Sequence, residues 1–241
     1  VGPPFYHKII IPFLIPFLLM MAKGPKLNWI KSELKIKLHL VLFLLISFSL
    51  SAFIVKILNI NFLLNTILFT SAFYLFFSTS RDFFVNKLRS FSQNIAHLGF
   101  SLLILSILFN NILATEIITN LKVGETFNNE KLKINFEKIV KRDEQNFKAI
   151  IGKFNIENLG GKTEIFEPEL RIYNQPNIVT SEADIKTNLI TDKFITMNIV
   201  QNKDYFNIRY QIKPLMAWIW ISVLLIAFGG LVGLFQRAYE R

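Results

Sequence analysis

The chain of 241 residues is 52% hydrophobic, contains 25 phenylalanines, and gathers its apolar residues into long uninterrupted runs. Soluble domains of this size rarely concentrate apolar residues in this way, so the composition predicts an integral membrane protein. The chain has no cysteine, which excludes thiol redox chemistry, a zinc–thiolate site and a covalently attached c-type haem.

The formal net charge of +10 is distributed unevenly along the chain. Residues 116–213 hold 15 basic and 14 acidic residues, and the remainder of the chain holds 12 basic and 3 acidic residues. Ten of those 12 basic residues fall on one side of the predicted spans, and this bias indicates orientation by the positive-inside rule. We therefore expect cytoplasmic basic loops, an extracytoplasmic 116–213 segment and no nucleic-acid partner.

Five apolar runs follow one another along the chain, at about Ile9 to Ala22, Leu38 to Val55, Asn59 to Ser80, Ser90 to Thr115 and Leu215 to Phe235. Four of them reach the roughly 20 residues that cross a hydrocarbon core of about 30 Å. The first is short and carries Pro12 and Pro16, which predicts a proline-kinked helix. Because the chain begins at Val1 without signal-peptide features, we expect the C-terminal portion of a longer protein or one product of a split gene.

The segment before the last span has the pattern of β-structure. Leu132, Ile134 and Phe136 alternate with polar residues, and a similar alternation covers 206–212. Six or seven short strands in a sandwich or barrel are expected. The predicted fold is a multi-pass α-helical membrane protein with an inserted extracytoplasmic all-β domain. Its parts are membrane helices over 1–115, the β domain over 116–213, and a last helix with a cytoplasmic tail over 214–241.

His97 is the strongest candidate for chemistry. It lies about four residues inside the cytoplasmic end of span four, or about 6 Å along the helix. Gln93, Asn94 and Ser101 share its face at helical spacing. Such a polar stripe must face protein, water or a cofactor, and a neutral imidazole there suits a haem-iron ligand. The alternative is an interhelical hydrogen bond.

The other two histidines are weaker candidates. His39 starts span two at a depth similar to that of His97, so a bis-histidine haem between them is geometrically conceivable. His7, beside Lys8, is expected at the outer surface in an interfacial role.

Further residues have mainly structural interpretations. Trp218 and Trp220 open the last span, as in interfacial aromatic belts. Gly99, and the glycines at 229, 230 and 233, are expected to allow close helix packing. In the β domain, Arg171 is a weak candidate to hold a carboxylate such as a haem propionate, and an internal salt bridge is its alternative.

Several motifs in their order resemble one family. They are Val-Gly-Pro-Pro-Phe-Tyr (1–6), Ala-His-Leu-Gly (96–99), Gly-Glu (124–125), Pro-Glu-Leu-Arg-Ile-Tyr (168–173), Glu-Ala (182–183), Lys-Pro-Leu-Met-Ala-Trp-Ile-Trp (213–220) and Gly-Gly (229–230). Over essentially the whole chain, this order resembles the C-terminal third of the cytochrome c maturation protein F (CcmF) family, including its nitrite-reductase-associated relative. The motifs around His97 and in the last helix are the most specific.

The resemblance implies a subunit of the bacterial cytochrome c haem lyase in the inner membrane, with residues 116–213 in the periplasm. The implied partners are the rest of the haem lyase subunit, a haem chaperone, a thiol-handling subunit that binds apocytochrome, apocytochrome c and membrane lipid. The family holds a b-type haem in the membrane, and the resemblance assigns one of its axial ligands, and so a haem-iron ligand, to His97. No catalytic residue is assigned.

The chain also departs from the family. It contains neither the tryptophan-rich outer loop, nor the two outer-face histidines, nor the second axial histidine that the family uses. Leu170 replaces a lysine of the Pro-Glu-Lys-Arg motif, and Ser222 replaces a glycine. We therefore expect this polypeptide alone to be neither catalytic nor sufficient for haem ligation.

Two alternatives remain open on the sequence. One is the ResB-like subunit of the other cytochrome c synthesis system, which also has an outer domain before its last helix. The other is a membrane scaffold whose outer domain only docks partners.

Overall fold

A computed structural model describes residues 3–24, 38–85, 91–130, 132–158, 160–161 and 163–239. Most of the basic residues expected in cytoplasmic loops lie outside these ranges. The chain divides into a helical unit, Val1–Phe109 with Trp218–Arg241, and a second unit, Asn110–Ala217.

The described part of the chain contains five helices. They are α1 (Pro3–Lys23), α2 (Leu38–Ile57), α3 (Phe62–Val85), α4 (Phe91–Leu113) and α5 (Met216–Tyr239). The last four are long and apolar enough to cross a membrane. Helix α1 runs through Pro12 and Pro16, and its apolar part, Ile9–Lys23, is shorter than the others. The four long spans predicted from the sequence are therefore confirmed as helices. The apolar part of α1 is shorter than these four helices, as its sequence predicts.

Helix α3 lies at the centre of the helical unit. Leu68, Phe69, Ala72, Phe73 and Leu75 are buried along it, and both α1 and α2 pack against it. Its aromatic rings also form a row, in which Phe69 and Phe73 stack at 6.1 Å between centroids. Since α3 is enclosed by its neighbours, it is the element against which the polar residues of α4 can be buried.

The second unit contains ten strands in its described residues, which is more than the six or seven expected. They are β1 (Thr115–Leu121), β2 (Thr126–Asn128), β3 (Leu132–Asp143), β4 (Phe147–Asn158), β5 (Thr163–Phe166), β6 (Glu169–Tyr173), β7 (Ile178–Glu182), β8 (Asp184–Thr187), β9 (Thr191–Ile199) and β10 (Phe206–Pro214). One sheet has the order β1-β10-β9-β8. The other has the order β2-β3-β4-β6-β7, with β5 also paired to β4.

The two sheets enclose one apolar core, which makes the unit a β-sandwich. Ile134 and Phe136 of β3 are fully buried, as the sequence alternation predicts, and Phe136 stacks on Phe154 at 4.3 Å. Tyr210 of β10 is buried edge-on to Phe166, with 5.9 Å between centroids. Burial raises the pKa of Tyr210 to about 12, and the neutral phenol is part of the core.

The first and last strands of the sandwich, β1 and β10, lie side by side. Thr115 of β1 pairs with Ile212 of β10. The amide of Asn110 donates a hydrogen bond to the carbonyl of Pro214 over 2.5 Å. The start of β1 thus lies beside the end of β10. At this place the chain leaves α4 and later enters α5.

Candidate functional site

His97 lies on α4, six residues after its first residue, Phe91, which is about 9 Å along the helix axis. Its side chain is half-buried. No acidic residue or proline interrupts α4, so the helix presents the histidine on a regular face.

The other members of the predicted polar stripe are distributed along the same helix. The amide of Asn94 donates to the carbonyl of Asp82 on α3 over 3.1 Å. The hydroxyl of Ser101 is fully buried and hydrogen-bonds that of Thr79, also on α3, over 3.0 Å. Gln93 is exposed. Two polar groups that flank His97 are therefore bonded to α3, and they fix the rotation of α4 about its axis.

His97 itself is not part of this hydrogen-bonding. Among the residues that the structure describes, none forms a hydrogen bond with its imidazole. The carboxylate of Asp82 interacts with it electrostatically. The interhelical hydrogen bond that competes with the ligand hypothesis is thus not present within the described ranges.

A different face of α4 packs against α5 through small residues. A Cβ atom on Gly229 would lie 2.8 Å from the backbone nitrogen of Ala96 and from the carbonyl oxygen of Ser92. On Gly99 it would lie 3.0 Å from Ile226. The packing role expected of Gly99 is confirmed.

Not every glycine of α5 takes part in this contact. On Gly233, a Cβ atom would lie 2.8 Å from the hydroxyl of Ser92, whereas on Gly230 it would meet nothing within 4 Å. The expected small-xxx-small packing face is therefore confirmed at 229 and 233, whereas Gly230 packs against none of the described residues. At about 100° per residue, the α5-facing residues Ala96, Ser92 and Gly99 lie about 100°, 140° and 160° around α4 from His97, so α5 contacts a different face of the helix.

Among the residues that the structure describes, His97 is a lone candidate metal donor and not part of a cluster. Within the described ranges, no group of three or more His, Cys, Asp or Glu side chains is placed to hold a metal ion. A single imidazole can serve as a donor to haem iron. Phe100, one turn after His97, meets Phe17 edge-on at 6.1 Å. The role of His97 as a haem ligand therefore stays a prediction.

The remaining histidines lie elsewhere. His39 sits at the start of α2, where its ring meets that of Phe43 edge-on at 6.0 Å. The side chain of His7 lies outside the described residues. Trp218 is partly exposed and Trp220 is largely exposed at the start of α5, as expected of interfacial residues.

Arg171 lies on β6 and contacts its own unit. Its Nε atom is 3.0 Å from a carboxylate oxygen of Glu169, and its guanidinium stands 5.0 Å from the ring centre of Phe147. Hydrogen bonds, first to Glu169 and then to Tyr173, raise the pKa of Arg171 above its usual value. Glu169 also pairs with Arg142 at 3.1 Å. This geometry is the internal salt bridge, and the role toward a haem propionate stays a prediction.

We expect Arg171→Ala to lower cytochrome c yield modestly, because Glu169 keeps Arg142 and the surface pair is worth little. The measurement is haem-stained cytochrome c in cells carrying the variant. Arg142→Ala is the matched control, since it removes the other partner of the same carboxylate. Equal effects of the two variants indicate a structural role, and loss of the protein from the membrane shows that the salt bridge is needed for folding. A loss specific to Arg171 indicates binding of a partner.

Comparison with known proteins identifies the sandwich. Residues 112–214 match the family model described as "CcmF C-terminal beta-sandwich". Cytochrome c-type biogenesis protein CcmF of Haemophilus influenzae is 23% identical over 256 residues, covering 100% of this chain and 40% of that protein. The CcmF protein of Escherichia coli is 21% identical over 250 residues, covering 100% and 39%. Protein NrfE of Haemophilus influenzae is 25% identical over 178 residues, covering 73% and 28%.

A solved structure described as "Cytochrome c Heme Lyase CcmF" has the same fold, with a TM-score of 0.73 at 20% identity. It is matched over 95% of this chain and 40% of its own length. The chain is thus a multi-pass membrane protein that carries a β-sandwich before its last helix. It is similar along its whole length to CcmF-like cytochrome c-type biogenesis proteins, matches a model of their C-terminal β-sandwich, and spans about 40% of their length. These matches favour the CcmF resemblance over the ResB-like alternative.

Proposed function

We propose that the chain is the C-terminal part of the membrane subunit of a cytochrome c haem lyase, in which His97 is an axial ligand of a b-type haem. The observation that carries the proposal is the half-buried imidazole of His97, which has no hydrogen-bond partner among the described residues. The names of the relatives supply the context of cytochrome c biogenesis.

The residues around His97 act as positioning groups. Ser101 and Thr79 join α4 to α3, and Gly99 and Gly229 bring α5 against the other side of α4. A ligand needs an imidazole of fixed orientation, because the iron–nitrogen bond is directional. When bound, the haem supplies electron transfer toward the haem that is to be attached to apocytochrome. The protein's part is to hold the imidazole neutral and in place.

The β-sandwich has a different role in the proposal. It stands in the periplasm, where the rest of the subunit, a haem chaperone, the thiol-handling subunit and apocytochrome c meet it. The near neutrality of residues 116–213 and the basic residues on the other side of the spans support this orientation. The chain contributes the docking domain and one ligand, and catalysis requires the remainder of the complex.

A cysteine at Asn128 should react with a membrane-impermeant thiol reagent added to intact spheroplasts, because Asn128 is exposed in the proposed periplasmic domain. This chain has no cysteine of its own, so the label is specific once any cysteine outside it is replaced. A cysteine at Ala238, exposed near the end of α5, should react only after permeabilisation. The reverse pattern would overturn the orientation. A second predicted labelling position, Lys162, lies outside the described residues.

The cofactor itself is tested by the pyridine haemochrome spectrum of the purified full-length protein. The proposal expects a haem that is extracted by acid acetone and has b-type bands. A purified complex that supports cytochrome c formation without extractable haem would leave the scaffold alternative as the function of this chain.

A further inference from the structure

The turn between β8 and β9, residues 188–190, projects two large apolar side chains from the sandwich. Leu189 is 66% exposed and Ile190 is 69% exposed. The sequence from Thr187 to Thr191 contains no charged residue. Single exposed apolar side chains are common on protein surfaces, whereas two adjacent ones that the core does not use form a candidate interaction surface.

The turn lies at the end of the sandwich where the chain enters α5. Thr191, which follows the turn, pairs with Pro214 at the end of β10. The amide of Leu215 donates a hydrogen bond to the carbonyl of Ile190 over 2.7 Å. Leu215 has a positive φ of 59°, and the next residue, Met216, begins α5. The tip of the turn is therefore attached directly to the residue that precedes the helix.

This attachment sets the depth of the turn. The apolar span that starts at Met216 has 21 residues, which at about 1.5 Å each is about the 30 Å thickness of a hydrocarbon core. Met216 therefore lies at the boundary of that core. Ile190 is bonded to the residue just before it, so it lies at the same boundary.

The backbone around the tip of the turn is hydrogen-bonded internally at Asn188, Ile190 and Thr191. The side-chain oxygen of Asn188 accepts hydrogen bonds from the amides of Ile190, over 2.8 Å, and Thr191, over 2.7 Å. The backbone N–H group of Asn188 donates to the carbonyl of Thr191 over 3.1 Å. Backbone groups that are satisfied internally can approach lipid without losing hydrogen bonds to water.

We propose that the β8–β9 turn is a lipid anchor, whose Leu189 and Ile190 side chains insert into the outer boundary of the bilayer. The partner is the acyl and headgroup region of the membrane. The anchor gives the sandwich a third point of attachment, besides its two chain connections, and so limits rotation of the domain above the membrane. It acts independently of any haem.

The test uses spin labels on single cysteines in the full-length protein in lipid nanodiscs. One label replaces Leu189. The control replaces Val123, which is also apolar, 46% exposed and in a turn, but follows β1 at the far end of the sandwich, where Leu121 pairs with Phe206. Collision rates are measured with oxygen, which concentrates in lipid, and with a water-soluble nickel chelate.

We expect the label at Leu189 to collide several-fold more with oxygen than with the chelate, and the label at Val123 to show the reverse ratio. A chelate preference at both positions would place the turn in water and overturn the anchor. Low collision with both reagents at Leu189 would show that protein covers the turn and would also overturn it. A label at Ile190 serves as a second variant, so misfolding of one labelled protein does not decide the result.

Discussion

His97→Ala is expected to remove the b-type absorbance of the assembled complex and to abolish cytochrome c formation. A ligated haem depends on its axial bonds for position, so deletion of one donor removes the cofactor or changes its spin state. The imidazole is half-buried and makes no hydrogen bond to the described residues, so its deletion breaks no such bond in that part of the fold. The measurement is a reduced-minus-oxidised spectrum of the purified complex, with cytochrome c yield in the same cells.

Two variants serve as controls for His97. Gln93→Ala removes an exposed polar side chain one turn earlier on α4, and His39→Ala removes the other described histidine side chain of the helical unit. Both are expected to keep the haem and cytochrome c. Exogenous imidazole should restore part of the haem in His97→Gly by filling the space of the lost side chain. If His97→Ala retains a normal haem spectrum, the ligand assignment is wrong and the histidine has a packing role.

The strands that the sequence predicts are those with two distinct faces. In β3 and β10 apolar residues alternate with polar ones, because one face meets the core and the other meets water. The short strands β2, β7 and β8 escape prediction because they lie at sheet edges and bury few side chains. Their pairing depends on neighbours that are distant in sequence, which no local pattern records.

The candidate site is predictable in part for a similar reason. A histidine in an apolar span is conspicuous in sequence, so His97 can be selected from the pattern of residues alone. The sequence does not predict whether a described residue hydrogen-bonds the imidazole of His97. The presence of such a bond depends on which groups of α3 face α4. Instead, Thr79 of α3 hydrogen-bonds Ser101, and the carbonyl of Asp82 accepts a hydrogen bond from Asn94. No residue spacing within α4 predicts these partners.

The two adjacent glycines of α5 show the same limit. Gly229 and Gly230 are chemically identical neighbours, and the sequence suggests packing for both. Successive helix residues differ by about 100° in direction, so only one of them can face α4. The structure assigns that role to Gly229, where a Cβ atom would lie 2.8 Å from the backbone of α4, and leaves Gly230 in open space.

Gly229→Ala is therefore expected to destabilise the contact between α4 and α5, whereas Gly230→Ala is expected to be neutral. The added methyl group at 229 meets backbone atoms of Ser92 and Ala96, which cannot rotate away, so one helix must shift. Overpacking of this kind costs about 1–3 kcal/mol. Because Ala96 is the immediate neighbour of His97, the shift moves the imidazole as well.

The measurements for the glycine pair are the thermal unfolding midpoint of the purified protein and its haem content per polypeptide. Gly229→Ala should lower both, and Gly229→Leu should lower both further, while Gly230→Leu keeps wild-type values because its side chain points into space. Equal losses at 229 and 230 would contradict the packing of α5 on α4. A lower midpoint with full haem content would instead show that the helix contact stabilises the fold without positioning His97, since the ligand would then tolerate the displaced backbone.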